Sequence, residues 1–268
     1  MNKEWVLDKK ELINNKFEKM KEELCDYFKT NMKFILSQET INTIINYIES
    51  LKVESIFYYN DIAYKISLLI LQDLNNNSAF ICYKQFKEKV DELERIASLF
   101  RRIDVLVDSD TVSMEGDIVI TDPCYTIQDK DWGNFCNKLF KGETFNCDAH
   151  PLPNGIVRDT IYGDWSCTTY NADTKESIGE FCADAGLVCV DMLENVLKRK
   201  PNFLNEYGEY CRTIIPNFKG AISIKVVQIK EDKEDDIDIW NYEVRVIGKG
   251  INIKTGESIN FFTTQTGL

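Results

Sequence analysis

One histidine, His150, and five prolines are all that 268 residues provide of these types. Any imidazole-based acid–base or metal chemistry must therefore use His150. No apolar run approaches the roughly 18 residues of a membrane-crossing helix. There is no C-x-x-C pair, no G-x-G-x-x-G and no G-x-x-x-x-G-K-[ST], which argues against zinc ribbons, dinucleotide folds and P-loop nucleotide hydrolysis. Positive charge is also short. Lys and Arg number 32 against 44 Asp and Glu, a net charge of −12, which disfavours direct contact with nucleic-acid phosphates or an anionic membrane. The opening MNKEWVLDKKEL has no signal-peptide core, so the expected compartment is the cytoplasm. No cofactor is implied. What the chain does hold is apolar residues, 44% of the total, and nine cysteines, of which seven fall between Cys124 and Cys211. This composition folds rather than stays disordered, and an odd thiol count without a secretion signal reads as free thiols.

Two grammars follow one another. Ile13, Phe17, Met20, Leu24, Phe28, Met32 and Ile35 step by three or four, as on one face of a long amphipathic helix. Ser37 is the expected N-cap of a second helix, Asn60 or Asp61 of a third and Ser78 of a fourth. After a segment at 104–116 that reads as a linker, short β runs begin at GDIVITD (116–122) and recur to SINFFTT (258–264). Short helices are expected at 131–140 and 191–199, and the acidic run 231–238 reads as a solvated hairpin loop. The expected fold is α+β: a helical domain or arm over 1–103, the linker, and a cysteine-rich, mostly antiparallel β domain over 117–268.

The stretch GDIVITDPCYTI, then DWGNFC, YGDWSCTTY and IGEFCADAGLVCV, covers roughly 116–190. It resembles a group of uncharacterised phage and prophage proteins that share a D-P-C-Y … Y-G-D-W … D-A-G pattern. In layout alone, helices first and β structure second, the chain is also similar to the phage Gabija anti-defence family. That resemblance implies a host-cytoplasmic protein whose copies assemble around a host immune complex and block it.

Individual residues carry competing readings. Asp122-Pro123-Cys124-Tyr125 ends a strand, because proline cannot donate to a ladder, and Asp122 is placed to bond the following turn. The chemical alternative makes Cys124 a nucleophile, His150 its base, and Asp122, Asp148 or Asp164 the orienting carboxylate. Cys124, Cys147, His150 and Cys167 are weak candidates for a zinc site, their spacing being irregular. Gly163-Asp164 and Asp184-Ala185-Gly186 are turn signals. A tight turn at Ala185-Gly186 would set Cys182 opposite Cys189 across a hairpin, near enough for some disulfides. Trp165, Tyr170, Trp240 and Tyr242 are either cross-strand core pairs or interface anchors. The expected function is a non-enzymatic, phage-type inhibitor that covers a host antiviral complex, such as a defence nuclease, as a homo-oligomer. It would touch neither nucleic acid nor membrane. The alternatives are a cysteine-dependent or metal-assisted hydrolase using Cys124 and His150, a phage structural protein, and, on charge, a DNA mimic.

Overall fold

Apolar residues three and four positions apart wind the head of the chain into α1 (Lys3–Asn31). Its Ile13, Phe17, Leu24 and Phe28 are buried, whereas Met20 and, past the helix end, Ile35 are half-buried. Ser37 caps α2 (Gln38–Ser50), its side chain accepting the Thr40 N–H at 3.2 Å. Asp73, at the end of α3 (Ile62–Asp73), accepts from the Ser37 N–H at 2.6 Å and the Ser37 hydroxyl at 2.8 Å, which ties the two helices together. On α4 (Ala79–Arg102), Phe86, Val90, Leu93 and Ala97 are buried, and the Phe28 and Phe86 rings meet at 6.0 Å.

This computed structural model describes residues 3–56, 62–73, 79–142, 144–161, 163–229 and 242–266, without the side chains of 55, 79–83, 85 and 144. The caps expected at Asn60, Asp61 and Ser78, the loop 231–238 and Trp240 lie outside the described residues. The chain divides into a helical unit, Leu7–Ile103, and a β unit formed by Met1–Val6 and Asp104–Leu268. The fold is α+β. Among the described residues no helix is long and apolar enough to cross a membrane.

The β unit is built from β1 (Val112–Thr121), α5 (Pro123–Thr126), α6 (Asp129–Leu139) and a small hairpin of β2 (Phe140–Lys141) and β3 (Thr144–Phe145). There follow β4 (Ile156–Asp159), β5 (Trp165–Asn171), β6 (Ser177–Ala183), β7 (Leu187–Met192), α7 (Leu193–Arg199) and α8 (Phe203–Glu206). The strands β8 (Arg212–Gln228), β9 (Tyr242–Asn252) and β10 (Ser258–Thr266) complete it. One antiparallel sheet runs in the order β4-β7-β1-β8-β9-β10-β5-β6. It curls: the Thr169 hydroxyl of β5 donates to the Thr213 hydroxyl of β8 at 3.0 Å although those strands are not ladder neighbours. Gly179 of β6 allows the approach, since a Cβ there would lie 2.7 Å from the Thr213 side chain.

The supposed linker at 104–116 is part of this unit. Val105, Leu106 and Val107 are buried, and β1 already begins at Val112, where it pairs with β8. Just before it, Ser109 and Asp108 extend β8's pairing: the Ile224 N–H donates to Ser109 Oγ at 2.6 Å and the Val226 N–H to Asp108 Oδ1 at 3.0 Å. Short side-chain acceptors thus replace strand carbonyls, which is why the segment has no β pattern of its own.

Candidate functional site

Proline at the first helical position and an aspartate before it set α5 directly against the end of β1. Asp122 has no exposed surface. Its Oδ1 accepts the Cys124 N–H at 2.8 Å, and its Oδ2 accepts the Ala185 N–H at 2.7 Å and the Leu187 N–H at 3.4 Å. Burial pushes this carboxyl above the usual carboxylate range, against the pull of those three donors. One carboxylate therefore joins D-P-C-Y to D-A-G across more than sixty residues of sequence. Tyr125 strengthens the tie by donating from its phenol to Asp184. The third motif joins at Gly186, which takes φ +66° and whose Cβ, if present, would lie 2.9 Å from Gly163 Cα. The Thr160 N–H donates to Gly186 O at 2.9 Å and its hydroxyl to Gly163 O at 2.5 Å. The three motifs that the sequence sets apart are one packed node, and of their described residues Asp164, Asp184 and Ala185 are on the surface.

The node positions a surface feature. Tyr125 packs edge-on against Tyr207 with centroids 4.9 Å apart, over a core of Val119, Val196, Phe203 and Cys211. From there the chain turns through Glu209–Cys211 into β8. Arg212 fastens that turn from inside, donating to the carbonyls of Tyr207 (2.8 Å) and Leu204 (3.1 Å) with its guanidinium over the Phe203 ring at 5.3 Å. Tyr210 is left outside, 64% exposed. Its ring lies against Gly208, where a Cβ would come within 2.3 Å of it. Between this turn and β6 opens a cleft of about 460 Å³ lined by Ile178, Glu180, Glu209, Tyr210, Arg212 and Thr213, a size within the usual range for binding sites. Ile178 and Leu204 are 42% and 37% exposed. Ile178 and Glu180 open the IGEFCADAGLVCV stretch, whereas Glu209, Tyr210 and Arg212 are not singled out in the sequence, where the available signal is Gly208 placed two residues before an aromatic.

The catalytic alternative does not assemble. Cys124 is half-buried against the α5–α7–α8 core, and burial together with the neighbouring Asp122 pushes its thiol far above the ordinary range. A nucleophile needs the opposite shift. His150 is exposed and lines a different cleft, of about 490 Å³, with Met114, Leu152, Met192 and Glu194. Asp148 pairs with Lys3 at 2.8 Å. Burial also raises Cys167, beside Glu243, to about 12, and Cys189 well above its ordinary value. The zinc candidates Cys124, Cys147, His150 and Cys167 do not converge: no group of three or more His, Cys, Asp or Glu is placed for a metal among the described residues.

Cys182 and Cys189 are not opposed. β6 pairs with β5, placing Cys182 across from Ser166, whereas β7 pairs with β1 and β4, placing Cys189 across from Thr121 and Val157. Both are free thiols. The Ala185 and Leu187 N–H groups that a hairpin would use are taken by Asp122, so the chain swings from one part of the sheet to another. Of the proposed anchors, Tyr242 is 2% exposed and packs edge-on against Trp5 at 6.1 Å, so it belongs to the core. Tyr170 is half-buried and stacks on Phe262 at 5.6 Å, a cross-strand pair, and Trp165 is half-buried. A scan against protein-family models found no match, and searches of curated proteins and of solved structures found none either.

Proposed function

We propose that this chain is a non-catalytic binding protein whose contact surface is the cleft around Tyr210, and that it acts by covering a surface of another protein. The observation that carries this reading is the exposed aromatic itself. A tyrosine that is 64% exposed yet held against Gly208 on a turn fastened from behind by Arg212 offers apolar area at little further entropic cost. Ile178 and Leu204 extend the apolar area around it. The thiols in the node are turned inward and held protonated, as suits a structural support. The finer reading follows the sequence resemblance: a phage-encoded inhibitor in the host cytoplasm that occludes an antiviral defence complex as a homo-oligomer. Tyr64, Leu68 and Leu71, exposed at 61%, 40% and 61% along one side of α3, support self-assembly through the helical unit.

The test is expression in a bacterial host that carries a defence nuclease complex, read by phage plating, with light scattering of the recovered complex. Restored plating together with a multimer bound to the complex supports the proposal. Unchanged plating and a free monomer count against it.

A further inference from the structure

Arg158 is a buried cation without a carboxylate. It is 7% exposed; its Nη1 donates to the Cys147 carbonyl at 2.8 Å and its Nη2 to the Asp108 carbonyl at 3.3 Å, with the centre of the Phe145 ring 5.9 Å away. Its Nε is buried with no hydrogen-bond partner, and among the described residues no carboxylate forms an ion pair with it. A guanidinium taken out of water in this way needs an anion close by. Of the acidic groups that act on it, the Cys147 thiol comes first, ahead of Asp110 and Asp148. Cys147 is half-buried on a tight turn, closed where the Ala149 N–H donates to Asn146 O at 2.9 Å. The exposed Lys3 reaches the same turn, its Nζ 2.8 Å from Asp148 Oδ1, and Cys147 acts on it as well. A partly exposed thiol beside two cations is the setting in which cysteines react. The other described thiols lack it. Burial raises Cys25, Cys124, Cys136, Cys167, Cys182 and Cys189, and Cys211 is 1% exposed. A thiol raised from 9.0 to about 12, as Cys167 is, loses about a thousandfold in thiolate and regains about thirtyfold in nucleophilicity, so it reacts about thirtyfold more slowly.

We propose that Cys147 is a modification site, at which the chain forms a mixed disulfide with a small disulfide that carries carboxylates, of the glutathione disulfide class. The Cys147 thiolate attacks one sulfur of the reagent. The reagent's S–S bond breaks, a new S–S bond forms at Cys147 Sγ, and the other half leaves as a thiolate that takes up the proton Cys147 released. The Cys147 sulfur is oxidised and the leaving half is reduced, so no further oxidant enters. Arg158 and Lys3 draw the anionic reagent to the turn, and the guanidinium, with one N–H unused, offsets the negative charge on sulfur during the exchange.

The experiment incubates the full chain with glutathione disulfide near neutral pH and locates the adduct by peptide mass mapping. Cystamine, a disulfide of opposite charge, is the comparison. Glutathione disulfide modifies Cys147 ahead of every other cysteine, and dithiothreitol removes the adduct. Relative to the urea-unfolded chain, Cys147 of the native chain prefers glutathione disulfide over cystamine by about tenfold, and added salt shrinks that preference. Lys3→Glu slows the reaction about threefold, as reversal of one exposed charge predicts, and Arg158→Gln slows it further with far-UV circular dichroism unchanged. If Arg158→Gln does not fold, Lys3→Glu and the two reagents decide the matter. First modification of any other cysteine overturns the proposal, as does a native Cys147 with the reagent preference of the unfolded chain. A folded Arg158→Gln that reacts at the wild-type rate overturns it too.

Discussion

Replacing Asp122 should unfasten the β unit, by an amount that depends on how many acceptors survive. In Asp122→Ala, the Cys124, Ala185 and Leu187 N–H groups lose their acceptor, two of them from bonds of 2.8 and 2.7 Å and the third from a long one of 3.4 Å. A buried donor left unmade costs about 1–3 kcal/mol, so the two good bonds set a loss of about 4 kcal/mol. Asp122→Asn keeps one oxygen. Its better orientation leaves that oxygen on Ala185 and Leu187 and turns the amide NH2 toward the Cys124 N–H, so one donor is lost, at about 2 kcal/mol. The expected order is therefore wild type above Asn above Ala, with Ala costing about twice as much as Asn. Urea unfolding followed by tryptophan fluorescence reads this unit selectively, because Trp5, Trp132 and Trp165 belong to it and Leu7–Ile103 contains no tryptophan. If both variants unfold within about 0.5 kcal/mol of wild type, the range of ordinary surface changes, the carboxylate does not hold the node.

Gly186→Ala should destabilise the same transition by about 2 kcal/mol or more, since φ +66° is costly for any side chain and its Cβ would meet Gly163 Cα at 2.9 Å; a wild-type urea midpoint would refute this. Thiol titration with an aromatic disulfide at pH 8 should leave Cys124, Cys167 and Cys189 unreacted in the native chain and reactive after denaturation, because burial raises all three; rapid labelling of Cys124 would contradict it. Asp108 would be raised by burial, but bonds from the Val226 N–H and Lys225 outweigh this and hold it below 3.8. Its contribution is therefore present above pH about 4 and lost as pH falls through the lowered value. Asp108→Asn should flatten the acid limb of a stability–pH curve, and an unchanged limb would refute the assignment.

How much of this was legible in the sequence varies with how local the cause is. The helical unit was readable because its signals are local: Ile13, Phe17, Leu24 and Phe28 repeat at helical spacing, and Ser37 sits where a cap belongs. The strand runs were readable for the same reason, but their partners were not. Cys182 and Cys189 lie seven residues apart around a glycine turn and should face each other; a carboxylate more than sixty positions upstream claims the turn's N–H groups and sends the two strands apart. β8 begins at Arg212 and runs through Pro216 and Gly220, residue types that ordinarily interrupt a strand. The structure absorbs the irregularity beside Pro216 in a register shift between Gly116 and Ile118, where Asn217 takes φ 52° and donates its N–H to Asp117 Oδ1 at 2.8 Å. The motif residues proved to be spatial neighbours, yet the surface they support, around Tyr210, has no spacing rule that would expose it.

The central claim, that the chain works by contact through its surface and not by thiol chemistry, is tested most directly by two single variants in the defended host. Tyr210→Ala removes an exposed side chain and Cys124→Ser changes only a half-buried sulfur. With both proteins folded and equally expressed, plating should fall to the empty-vector level with Tyr210→Ala and stay at the wild-type level with Cys124→Ser. The reverse pattern, activity lost with Cys124→Ser and kept with Tyr210→Ala, would contradict the account and make the thiol the working group.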